Sequence, residues 1–427
     1  MEPTALATDR YELTMVQAAL LSGVAMRRAT FEVFTRRLPP GRNYGVVAGV
    51  ARVLEAIEHF RFGIAEVDAL EHLHGAPMHL SDTMRAWLTD YRFRGDITGY
   101  HEGELFGPMS PILTVSGTFA DAVVLETVIL SILNHDCAVA AAAAGIVQVA
   151  GGAALIEMGS RRTDPDAAVG AARAAMIGGF SATSNLEAGR RYQLATAGTA
   201  AHSFTLAHSS EADAFTAQFA SQGPHTTLLV DTYDIEAGIR TAVAVAQAYG
   251  VPGPGAVRID SGDLALEAKR ARILLDELGA SATRIVLSGD LDRQAIVDLV
   301  AAQSPVDVFG VGTSVVTGDG HPTAGLSYKL VEIDDADGLA RSVAKRSVGK
   351  ASLGGAKRAV RHEGIDVIVA MRDQVPKGRP LQVSYVADGV ELMRPTVSQA
   401  AQRLRDSIAE LGSRSLTTKV GLRHVNG

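Results

Sequence analysis

The chain has 427 residues, 47% of them hydrophobic and 20% charged, a usage that excludes a disordered chain and supports one large packed domain plus a smaller one, or two of comparable size. Forty basic residues against 47 acidic ones leave a formal net charge of −7, which excludes an overall electrostatic footprint for nucleic acid or an anionic membrane. The one cysteine, Cys137, forms neither an internal disulfide nor a thiolate zinc cage and fits a reducing compartment.

From the first residues to Asp9-Arg10 no apolar signal-peptide run is present, so a cytoplasmic protein is expected. Leu13, Val16 and Leu20 then predict a short helix ending near Gly23, and Asp121 to Ala144 reads as a long apolar helix. The most membrane-like stretch, Cys137 to Ile156, is mostly Ala and Gly and is interrupted by Gln148 and Gly151-Gly152. Residues of that kind insert weakly, so a buried helix running into a strand is expected rather than a membrane span.

The middle of the chain repeats one pattern, an apolar run that ends in a polar cluster and leads into a helical period. Thr227 to Val230 ends in Asp231-Thr232-Tyr233-Asp234, and Ala256 to Ile259 ends in Asp260-Ser261-Gly262-Asp263. Arg284 to Leu287 ends in Ser288-Gly289-Asp290, and Val306 to Phe309 ends in Gly310-Val311-Gly312-Thr313. Between them Ile239, Ala242, Val243 and Ala246, then Ile296, Leu299 and Val300, keep helical spacing. Parallel strands with helical crossovers form an open doubly wound sheet or a closed barrel, and both gather polar loop residues at the C-terminal strand edge. After about residue 325 the pattern gives way to a basic, Gly-containing run from Lys345 through Lys350 and Lys357 to Arg361. The expected division is therefore 1–120 as part of a smaller domain, 121–330 as the α/β domain, and 331–427 as a segment that partly completes the smaller one.

Asp231, Asp260, Asp263 and Asp290 stand at expected strand ends, where carboxylates bind magnesium, meet sugar hydroxyls or orient a histidine, and where they also cap helices. The turns at Ser288-Gly289-Asp290 and Gly310-Val311-Gly312-Thr313-Ser314 expose backbone amides suited to an anion. The second lacks a dinucleotide fingerprint because Val315 takes the third glycine's place, and Gly349-Lys350-Ala351 is no Walker motif. His202 lies among small residues in Gly198-Thr199-Ala200-Ala201-His202-Ser203-Phe204. Its neighbour Ser203 invites a hydrolase reading, but no Gly-x-Ser-x-Gly elbow exists, and adjacent residues serve poorly as nucleophile and base for each other.

Several motifs now stand in one order: Thr8-Asp9-Arg10-Tyr11-Glu12-Leu13-Thr14-Met15, Gly179-Phe180-Ser181-Ala182-Thr183-Ser184-Asn185, and Gly198 to Phe204. Asp231-Thr232-Tyr233-Asp234, Arg258-Ile259-Asp260-Ser261-Gly262-Asp263, Gly310 to Thr313, Tyr328-Lys329-Leu330 and Lys345-Arg346-Ser347-Val348-Gly349-Lys350 follow. Together they resemble the nicotinate phosphoribosyltransferases, a type II phosphoribosyltransferase family. The resemblance implies an irregular TIM-like α/β barrel with a second, smaller α/β domain from N-terminal and later segments, and a homodimer with shared active sites. It implies ATP-assisted, ligase-type transfer of phosphoribosyl from 5-phosphoribosyl 1-diphosphate to nicotinate in NAD biosynthesis, with magnesium. By the same resemblance His202 is the residue ATP phosphorylates and Asp231 holds its ring. Arg258, with Thr199, binds the nicotinate carboxylate, and Tyr11 stacks on the pyridine from the partner subunit. Gly289, Gly312 and Thr313 hold the ribose 5-phosphate, and Arg161-Arg162 face the diphosphate. Asp260 and Asp263 meet the ribose hydroxyls or magnesium, with Asp263 the metal ligand.

Other readings separate on particular residues. A nicotinamide-specific relative is expected to carry an acidic residue directly before the histidine, where this chain has Ala201. An aldolase requires a strand-end lysine or a metal set, and none of the four strand ends carries a lysine. A non-catalytic phosphoribosyl- or nucleotide-sensing protein has no need to keep His202, Asp231 and Arg258 together.

Overall fold

Short apolar runs ending in polar clusters become the strands of one parallel sheet. The computed structural model describes residues 5–345 and 352–421, and it divides into two compact units, residues 1–138 with 323–427 and residues 139–322. The second unit holds six strands: β1 (Ala154–Glu157), β2 (Ala182–Thr183), β3 (Thr227–Leu229), β4 (Ala256–Ile259), β5 (Arg284–Leu287) and β6 (Val308–Val311). Their order is β2-β1-β6-β5-β4-β3, and every pairing is parallel. This is the half-barrel sheet of a TIM-like α/β fold, with all C-terminal strand ends on one edge.

The crossover helix Ile235–Ala248 buries Ile239, Ala242, Val243 and Ala246, as their spacing requires. Helix Arg293–Ala301 buries Ile296 and Leu299, whereas Val300 stays 38% exposed. The last strand lies two residues later than the expected Val306–Phe309, because Asp307 is spent at its entry. Its carboxylate accepts from the Ile285 amide at 2.7 Å and its carbonyl from the Ala154 amide at 2.9 Å. Gly310 and Val311, expected in the turn, are therefore strand residues. A Cβ on Gly310 would lie 2.7 Å from the Met158 sulfur, so the bare backbone is what lets β6 pass.

The apolar helix runs Glu126–Val149, preceded by a separate short helix, Phe119–Val123, capped by the Thr118 hydroxyl. The span 119–149 is long and apolar enough to cross a membrane by composition, but its most apolar window is 61% buried inside the fold. After Gly151 and Gly152, both with positive φ, the chain enters β1, as a buried helix running into a strand should. The unit boundary falls at residue 138, later than the expected 120. Val128, Ile129, Leu133 and Cys137 belong to the hydrophobic core of the first unit.

That first unit carries a seven-stranded sheet in which Arg28–Thr35 pairs antiparallel with Leu326–Asp334 and with the central strand Leu113–Thr118. The strand Leu326–Asp334 draws the second boundary back to 322, before the expected 330. In a four-stranded sheet the strand Lys357–His362 pairs with Ile365–Ala370. Lys357 meets Glu32 at 2.8 Å, and Arg361 meets Glu104 and Asp366 at 2.6 Å each, all five side chains being buried. The basic run thus ends in structural ion pairs at Lys357 and Arg361; its residues 346–350 lie outside the described part.

Helix Arg10–Ser22 ends at Gly23, whose φ of 76° closes the turn. Glu12 is buried on it and accepts from the Thr127 amide at 2.8 Å and the Thr127 hydroxyl at 2.5 Å. Burial outweighs these bonds and pushes the carboxyl from 4.5 up to about 7. A raised acid binds more protons folded than unfolded, so its contribution to stability is lost as pH rises from 4.5 to about 7. Denaturant unfolding at a series of pH values should show the native protein losing on the order of 2–3 kcal/mol relative to Glu12→Gln across that window; parallel curves would refute the assignment.

Candidate active site

In the second unit three loops are joined around one guanidinium. Arg258, on β4, has only 14% of its side chain exposed. Its Nη2 donates to Asp260 Oδ1 at 2.7 Å and its Nε to Ser288 Oγ at 2.7 Å. Its Nη1 donates to Thr199 Oγ1 at 3.0 Å and to the Ala200 carbonyl at 3.5 Å. Of the five N–H donors an arginine has, one on Nη2 stays uncommitted, and the long contact to Ala200 is readily exchanged. Burial alone would raise the Asp260 carboxyl, but hydrogen bonds from Ser288 and Arg258, reinforced by the charges of Arg258 and His202, hold it below its ordinary range.

Asp231 follows β3 by two residues, with its side chain 1% exposed. Its Oδ2 accepts from the Asp260 amide at 2.9 Å and the Ser261 hydroxyl at 2.6 Å, while its Oδ1 is buried with no hydrogen-bond partner. His202 opens the helix His202–Leu206, and its Nε2 stands 4.0 Å from Asp231 Oδ1. That separation is too long for a hydrogen bond. The ring is held instead by Thr232, whose Oγ1 lies 3.2 Å from Nδ1. Asp231 thus fixes the 260–261 loop through Oδ2 and leaves its unpartnered Oδ1 facing Nε2, while Thr232 meets Nδ1.

The remaining candidates are distributed unevenly. Gly289 has φ 103°, and a Cβ there would lie 2.2 Å from the Asp260 carbonyl oxygen. Gly312 precedes the short helix Thr313–Val316, and Thr313 is exposed. Arg161 and Arg162 are exposed on the turn after β1, and Arg162 reaches Asp290 at 3.8 Å. Asp263 is exposed and caps the helix Leu264–Glu277 by accepting from the Leu266 amide, as Asp234 caps Ile235–Ala248. Tyr11 belongs to the first unit and is 46% exposed, which removes the alternative of a core tyrosine. Burial, followed by the charges of Glu126, Glu12 and Asp9, pushes its hydroxyl up to about 12.

Two residues escaped the sequence reading. Thr232 was visible within its Asp-Thr-Tyr-Asp string but carried no distinguishing signal. Glu157 ends β1 fully buried, with burial pushing its carboxyl up against the opposing bonds from Thr183 and Gly159. An acid at the end of an apolar run, like the Asp residues later in the chain, was the sign that could have found it.

Comparison with known proteins decides among the readings. Residues 6–134 match the nicotinate phosphoribosyltransferase (NAPRTase) N-terminal domain family. A nicotinate phosphoribosyltransferase of Mycobacterium tuberculosis H37Rv is 53% identical over 387 residues, covering 89% of this chain and 83% of the relative. The chain belongs to the nicotinate phosphoribosyltransferase family. The enzyme of that name in Homo sapiens is 31% identical, covering 94% of this chain and 81% of its own length. The crystal structure of human nicotinic acid phosphoribosyltransferase shares the fold with a TM-score of 0.83 at 23% identity, covering 98% of each chain. A nicotinate-nucleotide pyrophosphorylase from Pyrococcus furiosus shares it at a TM-score of 0.77 and 22% identity, covering 96% of each chain.

The tight approach at Gly289 gives a direct test of the site's construction. Gly289→Ala should lower the unfolding free energy by about 2 kcal/mol or more, since the new methyl meets the Asp260 backbone. Gly152→Ala, with φ 91° and nothing within 4 Å of the new Cβ, should cost only about 1 kcal/mol of backbone strain. Equal losses in chemical denaturation would show that the contact with Asp260 is immaterial.

Proposed function

We propose that this chain joins nicotinate to 5-phosphoribosyl 1-diphosphate, giving nicotinate mononucleotide and diphosphate, as a cytoplasmic step of NAD biosynthesis. The observation that carries the reading is the Arg258 guanidinium, partly buried at a strand end with one Nη2 hydrogen uncommitted and Nη1 loosely held by Ala200. A carboxylate that took both positions would be bound by two parallel charge-assisted bonds. A neutral carboxamide would gain far less there, and Ala201 before His202 adds no acidic group to favour one.

In the transfer, the lone pair of the pyridine nitrogen forms the bond to C1 of the ribose while the C1–oxygen bond breaks and diphosphate leaves with its electron pair. Gly289, Gly312 and Thr313 offer turns for the 5-phosphate, and Arg161 and Arg162 supply positive charge for the diphosphate. Asp260, held ionised by Arg258 and Ser288, stabilises positive charge that develops on the sugar.

ATP enters through His202. With Nδ1 engaged by Thr232, Nε2 is the nitrogen free to attack the γ-phosphate, so that ADP leaves and a phosphohistidine remains until water removes the phosphate. Negative charge added there strengthens the site's hold on magnesium and sugar, which favours the product.

A magnesium ion supplies charge neutralisation to the leaving diphosphate when it is bound. Among the described residues no group of three or more His, Cys, Asp or Glu forms a metal cage, which suits an ion held largely by substrate phosphates. The carboxylates that would meet it are the exposed Asp263, whose Oδ1 caps a helix, and Asp260, whose Oδ1 accepts from Arg258 and Ser288. The exposed Tyr11 ring is suited to stacking on the pyridine of a partner subunit in a homodimer.

The test is product formation from nicotinate and, separately, nicotinamide, with phosphoribosyl diphosphate and magnesium, with and without ATP. The expected result is mononucleotide from nicotinate, accelerated by ATP and accompanied by ADP. His202→Ala should abolish ADP formation and leave a slow, ATP-independent transfer. Product from nicotinamide alone would overturn the substrate, and unchanged ATP coupling in His202→Ala would overturn the phosphohistidine.

A further inference from the structure

Glu157 takes no part in the chemistry above, yet it is a fully buried acid at the end of β1, directly beneath the turn that carries Arg161 and Arg162. Its Oε1 accepts from the Gly159 amide, and its Oε2 accepts from the Thr183 hydroxyl at 2.5 Å. Thr183 Oγ1 in turn accepts from the Asn185 amide at 3.0 Å, and the Asn185 side chain donates to Ser160 Oγ at 3.0 Å. Ser160 adjoins Gly159, so the bonds close into a ring tying the ends of β1 and β2 together. The turn itself is set by Arg162, whose amide donates to the Gly159 carbonyl at 2.8 Å. Gly159 is packed with no room to shift: a Cβ there would lie 2.2 Å from Val316 Cγ1 and 3.0 Å from the Gly312 carbonyl oxygen.

We infer that Glu157 is a positioning residue that holds the Arg161-Arg162 turn in place for the diphosphate of the phosphoribosyl donor. The inference rests on the proposed function, in which those arginines meet that group. The chemistry requires a carboxylate. One oxygen receives its donor from the turn after β1 and the other from the end of β2, and both donors are buried. A glutamine offers one acceptor oxygen and turns an NH₂ toward the other donor, so one buried donor loses its acceptor.

The experiment is steady-state kinetics of the full-length protein, varying phosphoribosyl diphosphate and nicotinate separately. Glu157→Gln should raise KM for phosphoribosyl diphosphate about tenfold, the size of one lost buried hydrogen bond. Its kcat and its KM for nicotinate should stay within about twofold of the native values. Thr183→Val should reproduce this pattern and Thr183→Ser should not, because serine keeps the donor; Thr183→Val also stands in should Glu157→Gln fail to fold. Arg162→Ala should raise the same KM. Combined with Glu157→Gln it should raise it by less than the product of the two single effects, since both act through one turn.

An unchanged KM for phosphoribosyl diphosphate in both Glu157→Gln and Thr183→Val would overturn the inference while leaving the reaction intact. Fully multiplicative effects in the double variant would overturn it too. A double variant Arg161→Ala with Arg162→Ala that keeps its native KM would instead show that the arginine turn does not meet the diphosphate, which is a failure of the underlying reading.

Discussion

The candidate site depends on one partly buried ion pair. Arg258 and Asp260 sit two residues apart at the end of one strand, 14% and 28% exposed, and each offsets the other's desolvation. Together they engage Ser288 from the next strand and Thr199 from the loop before His202. Asp231 fixes the backbone of the same loop through the Asp260 amide. Three strand ends are therefore cross-linked by polar bonds rather than by packing, which leaves their side chains presented at the sheet edge with defined positions. Gly289 is part of this construction, because only a residue without a Cβ allows the third loop to approach the Asp260 carbonyl.

A second, independent ring of bonds around Glu157 does the same for β1 and β2. The two networks differ in electrical character. The first pairs a cation with an anion and keeps Asp260 ionised, with the guanidinium only partly committed. The second surrounds one carboxylate with neutral donors, so burial pushes its pKa up. One arrangement suits recognition of an anion by a cation; the other suits the fixing of loops that carry further cations outward.

Much of this was legible in the sequence, and the reasons are physical. Parallel strands buried on both faces read as apolar runs, and the polar residues that end them mark the functional edge, so β3, β4 and β5 were placed to within a residue. The entry of β6 was misjudged because Pro305-Val306 continues the apolar run, while the bonds made by Asp307 are long-range and leave no local pattern. Strands of two residues, such as β2, lack the length to show a period. The second partner of His202 was hidden for a related reason: Asp231 and Thr232 are adjacent in the chain, and only three-dimensional distance shows that Thr232 also reaches the ring. The fate of Lys357 and Arg361 was likewise hidden, since charged residues read as surface until their buried partners Glu32, Glu104 and Asp366 are seen.

The central claim is that Arg258, held by Asp260, recognises a carboxylate on the acceptor. Its most direct test is the ratio of equilibrium affinities for nicotinate and nicotinamide, measured by calorimetry on the native protein and on Arg258→Met in the presence of diphosphate and magnesium. The account predicts a preference for nicotinate of about a hundredfold or more in the native protein, the scale of a paired charge-assisted contact, and its collapse in the variant. A native preference that survives the loss of Arg258 would contradict the account and assign recognition of the acceptor to another group.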